Sequence, residues 1–250
     1  MARTIMALML REMSTTYGKS AGGYIWAIVE PVLGIVLLSI LFSFALRRPP
    51  IGETFPMFYA TGYLPFVMFN SLSQKIARSV QFSKPLMAYP CVTFMDTLLA
   101  RMILNMLTGV VVFIIVVVGI MVAYDMALWA NLGALVTALA LIMLLASGIG
   151  TLNCYMITSF PVYEQLWAIA TRPLFLVSGI FFIFDAMPPV ARDVLWYNPL
   201  IHIVGLTRKG IYPTYEGGYV SVTYVTLIGA IALFFGLLLL VRHFKMLMEA

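Results

Sequence analysis

The chemistry this chain could perform is limited by what its reactive residues lack. Gly18-Lys19-Ser20 has the ending of a phosphate-binding loop, in which backbone N–H groups and a lysine cradle nucleotide phosphates. Met13 stands where the first glycine of that loop belongs, and no strand leads into the segment, so the nucleotide reading fails. Gly148 and Gly150 open a dinucleotide-type G-x-G-x-x-G pattern, but Asn153 takes its last place within a continuous apolar tract. The two histidines, His202 and His243, and the two cysteines, Cys91 and Cys154, form no H-E-x-x-H and no paired spacing, so no zinc motif is present. His202, beside Asn198 and Pro199, reads as a satisfied interfacial histidine, and the cysteines read as small core hydrophobes.

The chemistry that remains is electrostatic and aromatic. Arg172 follows Glu164 by eight residues in an apolar tract, about 12 Å along a helix. It either snorkels to the near interface or faces a polar path and holds an anion. Arg47, Arg48, Arg208 and Lys209 offer cationic sites for acidic sugars or phosphate. Aromatic residues gather near the same level, among them Phe55, Phe58, Tyr59 and Tyr63, then Trp196, Tyr197 and Tyr212. They form an interfacial belt, and their faces also suit stacking on sugar rings.

Long apolar helices must position these residues. Of the 250 residues, 62% are hydrophobic and 10% charged, against about 25% charged in a soluble domain, which excludes a soluble globular or nucleic-acid-binding protein. Charge-poor tracts long enough for a bilayer predict six spans at 25–46, 55–72, 102–123, 130–153, 165–184 and 218–241 of a single transmembrane domain. Arg172 and Pro173 interrupt the fifth, and a turn near Ser159 and Pro161 separates it from the fourth. With the N terminus inside, ten Lys and Arg lie on the cytoplasmic side and five outside, so both termini are expected in the cytoplasm. A start apolar only over Ile5 to Leu10 is too short for a secretory signal.

Three further segments lie outside the spans. Ile5, Met6, Met9, Leu10, Met13 and Tyr17 share one helical arc opposite Arg3, Thr4, Arg11, Ser14 and Thr15, which predicts an amphipathic helix on the inner leaflet. It is either an anchor or a docking face. Residues 73–96 predict a short helix over Gln74 to Phe82 among Lys75, Arg78 and Lys84, either a solvated basic loop or a rod that receives force. Residues 185–217 hold two apolar patches, Val190 to Tyr197 and Leu200 to Tyr212, too short to span. They read as re-entrant helices bordering an outer cavity, or as a hydrophobic loop on the headgroups. Spans two, three, four and six carry no buried Asp, Glu or His relay and the halves show no inverted repeat, which disfavours a secondary transporter. A membrane enzyme should cluster acids or histidines at one face, and a channel should repeat a polar or glycine-lined pore helix; neither pattern stands out.

Specific runs then carry a likeness. Leu10-Arg11-Glu12, Tyr17-Gly18-Lys19 and Gly23-Tyr24-Ile25-Trp26-Ala27-Ile28-Val29-Glu30-Pro31 resemble the entry to the first span of ABC-2 type polysaccharide export permeases. Within that group the chain looks most like the capsular polysaccharide export permeases of Gram-negative inner membranes. Trp196-Tyr197-Asn198-Pro199-Leu200-Ile201-His202-Ile203-Val204, followed by Arg208, is similar to the family's re-entrant region, and Lys84-Pro85 with Tyr89-Pro90 extends the likeness across nearly the whole chain. The resemblance implies an all-α, six-span type V exporter architecture that works as a homodimer. It makes residues 1–20 an interface helix, 73–96 a coupling region and 185–217 a gate. It also implies that a separate ATPase dimer holds ATP and Mg, so this chain is no enzyme and binds no cofactor. Lipid-linked polysaccharide would cross at the dimer interface, to be received by a periplasmic adaptor and an outer-membrane exporter. On that reading Arg11, Lys19 and Arg172 sit near the inner entrance. Arg47, Arg48, Arg208 and Lys209, with Tyr59, Trp196 and Tyr197, sit along the outer path, and Glu12, Lys75, Arg78 and Lys84 couple to the ATPase. Ser14, Thr15 and Thr16 depart from the cations that relatives often place in the interface helix. Related permeases for O-antigen, another glycolipid or a drug share this pattern.

Overall fold

The computed structural model describes residues 2–16, 23–87, 92–126 and 131–249. Among them the regular structure is all helical: α1 (Ala2–Thr16), α2 (Tyr24–Ala45), α3 (Phe55–Ala77), α4 (Ser79–Ser83), α5 (Phe94–Ala123), α6 (Leu132–Ser159), α7 (Pro161–Val177), α8 (Pro189–Leu195), α9 (Pro199–Ile211) and α10 (Val222–Glu249), with a 3-10 turn at Phe184–Ala186. Among the described residues, four stretches are long and apolar enough to cross a bilayer: Ile25–Phe44 in α2, the whole of α5, the whole of α6, and Val222–His243 in α10.

The remaining two expected spans differ from expectation. Helix α3 has 23 residues, but Thr61, Asn70, Ser71, Ser73 and Gln74 dilute its hydropathy. It is the inner helix of the bundle, with Met57, Phe58, Tyr59 and Ala60 fully buried. Helix α7 runs straight through Arg172 and Pro173 but stops at Val177 after 17 residues, about 25 Å. The expected segment to Phe184 therefore includes a non-helical stretch, 178–183. None of the α7 residues is buried within this chain.

The third long helix starts at Phe94, not Met102, because Thr93 and Asp96 close a capping box: the Asp96 amide donates to Thr93 Oγ1 at 3.2 Å and the Thr93 amide to Asp96 Oδ2 at 3.1 Å. That box satisfies two amides that a helix start leaves orphaned.

Helix α6 is the axis, with α10 on one flank and α3 on another. The glycines that imitate a dinucleotide motif serve this packing. A Cβ on Gly150 would lie 2.8 Å from the Ser73 carbonyl oxygen of α3, and one on Gly148 would strike the Gly229 carbonyl oxygen of α10. Farther along, a Cβ on Gly236 would lie 2.6 Å from the Leu152 amide nitrogen. Small residues let these backbones touch, the usual basis of helix association where lipid removes the hydrophobic drive.

Candidate functional site

A polar cluster is buried where α1, α3 and α5 meet. Glu12 of α1 lies 3.3 Å from the Arg101 Nε of α5, and both side chains are 8% exposed. Arg101 also donates to the Lys75 carbonyl oxygen at 2.7 Å and lies over the Phe82 ring of α4, 4.2 Å from its centroid. Lys75 Nζ donates to Asn105 Oδ1 at 2.7 Å, while the Asn105 amide donates to the Arg101 carbonyl at 2.9 Å and to Glu12 Oε1 at 3.4 Å. Arg101 and Asn105 are one helical turn apart, so α5 presents both to α1 and α3. A charge taken out of water is tolerated only when paired and hydrogen-bonded, which this arrangement provides. The result is a tie among α1, α3, α4 and α5.

Two more cations attach to this end. Arg11 stands 5.4 Å from the Phe82 ring centroid. Arg78, between α3 and α4, pairs with Glu164 of α7 at 2.6 Å on an exposed surface. Glu12, Lys75, Arg78, Phe82 and Arg101 border a hollow of about 530 Å³. Lys84 lies half-buried in the turn after α4, and Lys19 and Cys91 lie outside the described residues. On α1, the expected apolar arc divides: Ile5 and Met9 are partly covered, with α1 resting on α5, while Met6, Leu10 and Met13 remain exposed as a stripe.

At the opposite end, α9 is buried almost throughout. Asn198 caps it, its Oδ1 accepting from the Leu200 amide at 3.1 Å while its Nδ2 donates to the Val177 carbonyl at 2.9 Å. With Pro199 at the first helical position, the Asn-Pro pair both starts α9 and ties it to the end of α7. His202 accepts the Ser221 amide on Nδ1 at 3.2 Å and shares a 2.8 Å bond from Nε2 to the Trp196 carbonyl. Since the Ser221 N–H can only donate, the neutral Nε2–H form satisfies both ring nitrogens. Burial holds the His202 pKa below the usual histidine value, against the opposing pull of the Trp196 and Tyr219 carbonyls.

Arg208 corrects an expectation. It is 1% exposed, and its guanidinium donates to the carbonyls of Phe182 at 2.8 Å, Gly179 at 2.8 Å and Ile180 at 3.4 Å, over the face of Phe58 at 4.6 Å. It therefore clamps the 179–182 stretch against α3 and presents no charge to a path. Gly62 allows the approach, since a Cβ there would sit 2.9 Å from Ile180 Cα. Tyr59 is also fully buried, packed against Phe42, Phe55 and Phe58 rather than facing a path.

The other candidates are scattered. Arg47, Arg48, Arg172 and Lys209 are exposed, and Trp196 is half-buried with its Nε1 donating to the Tyr219 carbonyl at 3.3 Å. Tyr197 is exposed and its carbonyl accepts from the Tyr224 hydroxyl at 2.7 Å. Of the fourteen candidates, the structure brings Glu12, Lys75 and Arg78 around one hollow, with Arg11 beside it over the Phe82 ring. Asn105 and Phe82 were missed as partners of that cluster, as was the pairing role of Arg101. A polar pair spaced i, i+4 at the head of an apolar helix was the signal for the first and last.

These arrangements agree with comparison to known proteins. The ABC-2 type transporter family matches residues 3–212. The chain is 32% identical over 236 residues to the polysialic acid transport protein KpsM of Escherichia coli, covering 94% of this chain and 92% of that one. It is 27% identical over 244 residues to the capsule polysaccharide export inner-membrane protein CtrC of Neisseria meningitidis serogroup B, covering 97% and 92%. It is 26% identical over 249 residues to the capsule polysaccharide export inner-membrane protein BexB of Haemophilus influenzae, covering 97% and 91%. A family match over most of the chain, on an all-helical bundle with several apolar helices long enough to cross a bilayer, places this protein in the ABC-2 type transporter family as a membrane subunit, not an ATPase.

Proposed function

We propose that this chain is the permease subunit of an ATP-driven exporter that carries lipid-linked, capsular-type polysaccharide across a bacterial inner membrane. The observation that carries the reading is near full-length similarity to proteins of polysialic acid and capsule polysaccharide export. Two copies of the chain would frame the path, with α3 and α7 serving as the second and fifth spans and both termini cytoplasmic. ATP and Mg would sit on a separate ATPase dimer docked against α1 and α4.

The buried cluster supports a way for force to enter. A push on α1 reaches α5 through Glu12 and Arg101, and a push on α4 reaches α3 and α5 through Phe82 and the Lys75 carbonyl. Arg78 and Glu164 pass the same motion to α7. That helix has no buried residue in this chain, as a mobile or partner-facing span requires. At the far end the Arg208 clamp and the Asn198 cap would make α9 and the end of α7 move together. Exposed Arg172, Arg47, Arg48 and Lys209, with Trp196 and Tyr197, would meet the cargo.

The test is to express the tagged chain with its neighbouring ATPase candidate, assay ATP hydrolysis in lipid, and measure surface polysaccharide in cells deleted for the permease. The proposal expects a two-plus-two complex, activity absent from the chain alone, and restored capsule. Complex formation and ATPase activity without restored capsule would leave a permease for another cargo, and no complex with any ATPase tested would sink the reading.

A further inference from the structure

Between α2, α3 and α5 lies a cavity of about 380 Å³ that shares Lys75 and Asn105 with the polar tie, the Lys75 ammonium donating to Asn105 Oδ1 at its rim. Its walls change character along its length. Toward the α1 end it is bordered by Glu30, Lys75, Asn105 and Ser71, and deeper by Leu64, Met68 and Phe113. Lys75 and Leu64 are eleven residues apart on one helix, about 16 Å. The outer faces of α2 and α5 beside it are apolar and exposed on this chain, with Ile25, Leu33, Leu107 and Val111 uncovered. An amphiphile entering sideways from the bilayer would find a polar head site and an apolar run beneath it.

The polar end carries both charges. Lys75 supplies the positive side, and Glu30 lies within its electrostatic reach. Glu30 is exposed and forms no hydrogen bond or ion pair with the described residues. One residue further, Pro31 has no N–H to give the Ala27 carbonyl, so the helix leaves an acceptor open on the same wall. Trp26 completes that wall, half its surface open, and an indole face attracts cations. A carboxylate, an orphan carbonyl and an aromatic face on one side, with an ammonium on the other, match a zwitterion whose positive group can donate hydrogen bonds.

We propose that this cavity is a resident lipid site for a phospholipid whose head carries a primary ammonium and a phosphate, as in phosphatidylethanolamine. The ammonium sits at Glu30, the Ala27 carbonyl and Trp26, and the phosphate lies toward Lys75. Choline heads are excluded from the donor role because a quaternary ammonium has no N–H, and glycerol heads lack the positive group altogether. The site is separate from the exporter reading, because the lipid is bound and not carried.

The experiment is native mass spectrometry of the full chain released from micelles holding equal amounts of phosphatidylethanolamine, phosphatidylcholine and phosphatidylglycerol. The amine lipid should be retained over the other two by roughly tenfold, as expected for a charge-assisted hydrogen bond. Glu30→Gln should bring that preference to within about threefold, and Trp26→Ala should reduce it by a smaller factor. Both positions are exposed on α2, so the variants should keep the fold, which thermal unfolding in the same micelles checks. Equal retention of all three lipids, a preference unchanged in both variants, or displacement by phosphatidylglycerol or an amine-free glycolipid at equal concentration would overturn the proposal.

Discussion

Replacing Glu12 by Gln keeps the shape of the side chain and removes its charge. Arg101 is then a buried cation whose support is the Lys75 carbonyl at 2.7 Å and the Phe82 face at 4.2 Å. Removing one partner of a buried pair costs about 3–5 kcal/mol. The two surviving contacts bring the expected loss to about 2–3 kcal/mol, which is about a 30- to 150-fold rise in the population with α1 detached from α5. Amide exchange read by mass spectrometry on the chain in nanodiscs measures this directly. Residues 2–16 should exchange faster by that factor while α6 and α10 stay unchanged. Arg101→Gln alone should act the same way, and the double variant should lose about 1 kcal/mol or more less than the sum of the two singles. In a reconstituted complex, ATP hydrolysis should persist while export falls. If α1 exchange in Glu12→Gln stays within about threefold of wild type, or if the two substitutions are additive, the pair does not anchor α1 and the force route through it is wrong.

Arg208→Gln should destabilise the chain by about 2–4 kcal/mol, since it removes a buried hydrogen-bonding cation and leaves carbonyls of the 179–182 stretch unpaired; proteolysis within that stretch should accelerate accordingly. Gly236→Leu should cost more than about 3 kcal/mol and lower the thermal midpoint, because its Cβ alone would lie 2.6 Å from the Leu152 amide nitrogen of α6; the same substitution at Gly119, whose Cβ would meet nothing within 4 Å, should be nearly neutral. For His202 the folded protein favours the neutral ring, so the unfolded chain binds the proton first. Its stabilising contribution should be complete above about pH 6.5 and fall as pH drops through the lowered folded-state pKa. Unfolding followed across pH 4–8 should show a loss on the acid side that His202→Gln lacks.

The order of apolar helices was legible from the sequence because a bilayer demands long uncharged runs, and α2, α5, α6 and α10 meet that demand by composition alone. The Asn198-Pro199 start of α9 was an equally local property. Boundaries set by charge were not legible. The expected span began just after Arg101, yet the Thr93 and Asp96 capping box starts the helix at Phe94, and a carboxylate from α1, 89 residues earlier, lets it bury the arginine. The same limit hid the fate of Arg208, which looked like an exposed cation because the carbonyls that hold it belong to a non-helical stretch twenty-six to twenty-nine residues away.

Sequence by itself determined that this protein resides in a membrane, since hydrophobic length acts through the solvent and needs no partner. Only the tertiary structure decided which charges meet. Glu12 with Arg101, Arg78 with Glu164, and Arg208 with the 179–182 carbonyls are all pairings between distant segments, and no local spacing encodes them. A cation's role depends on whether folding brings it an acceptor or leaves it to water, which is why residues of one chemical type became an anchor, a clamp and an exposed surface charge.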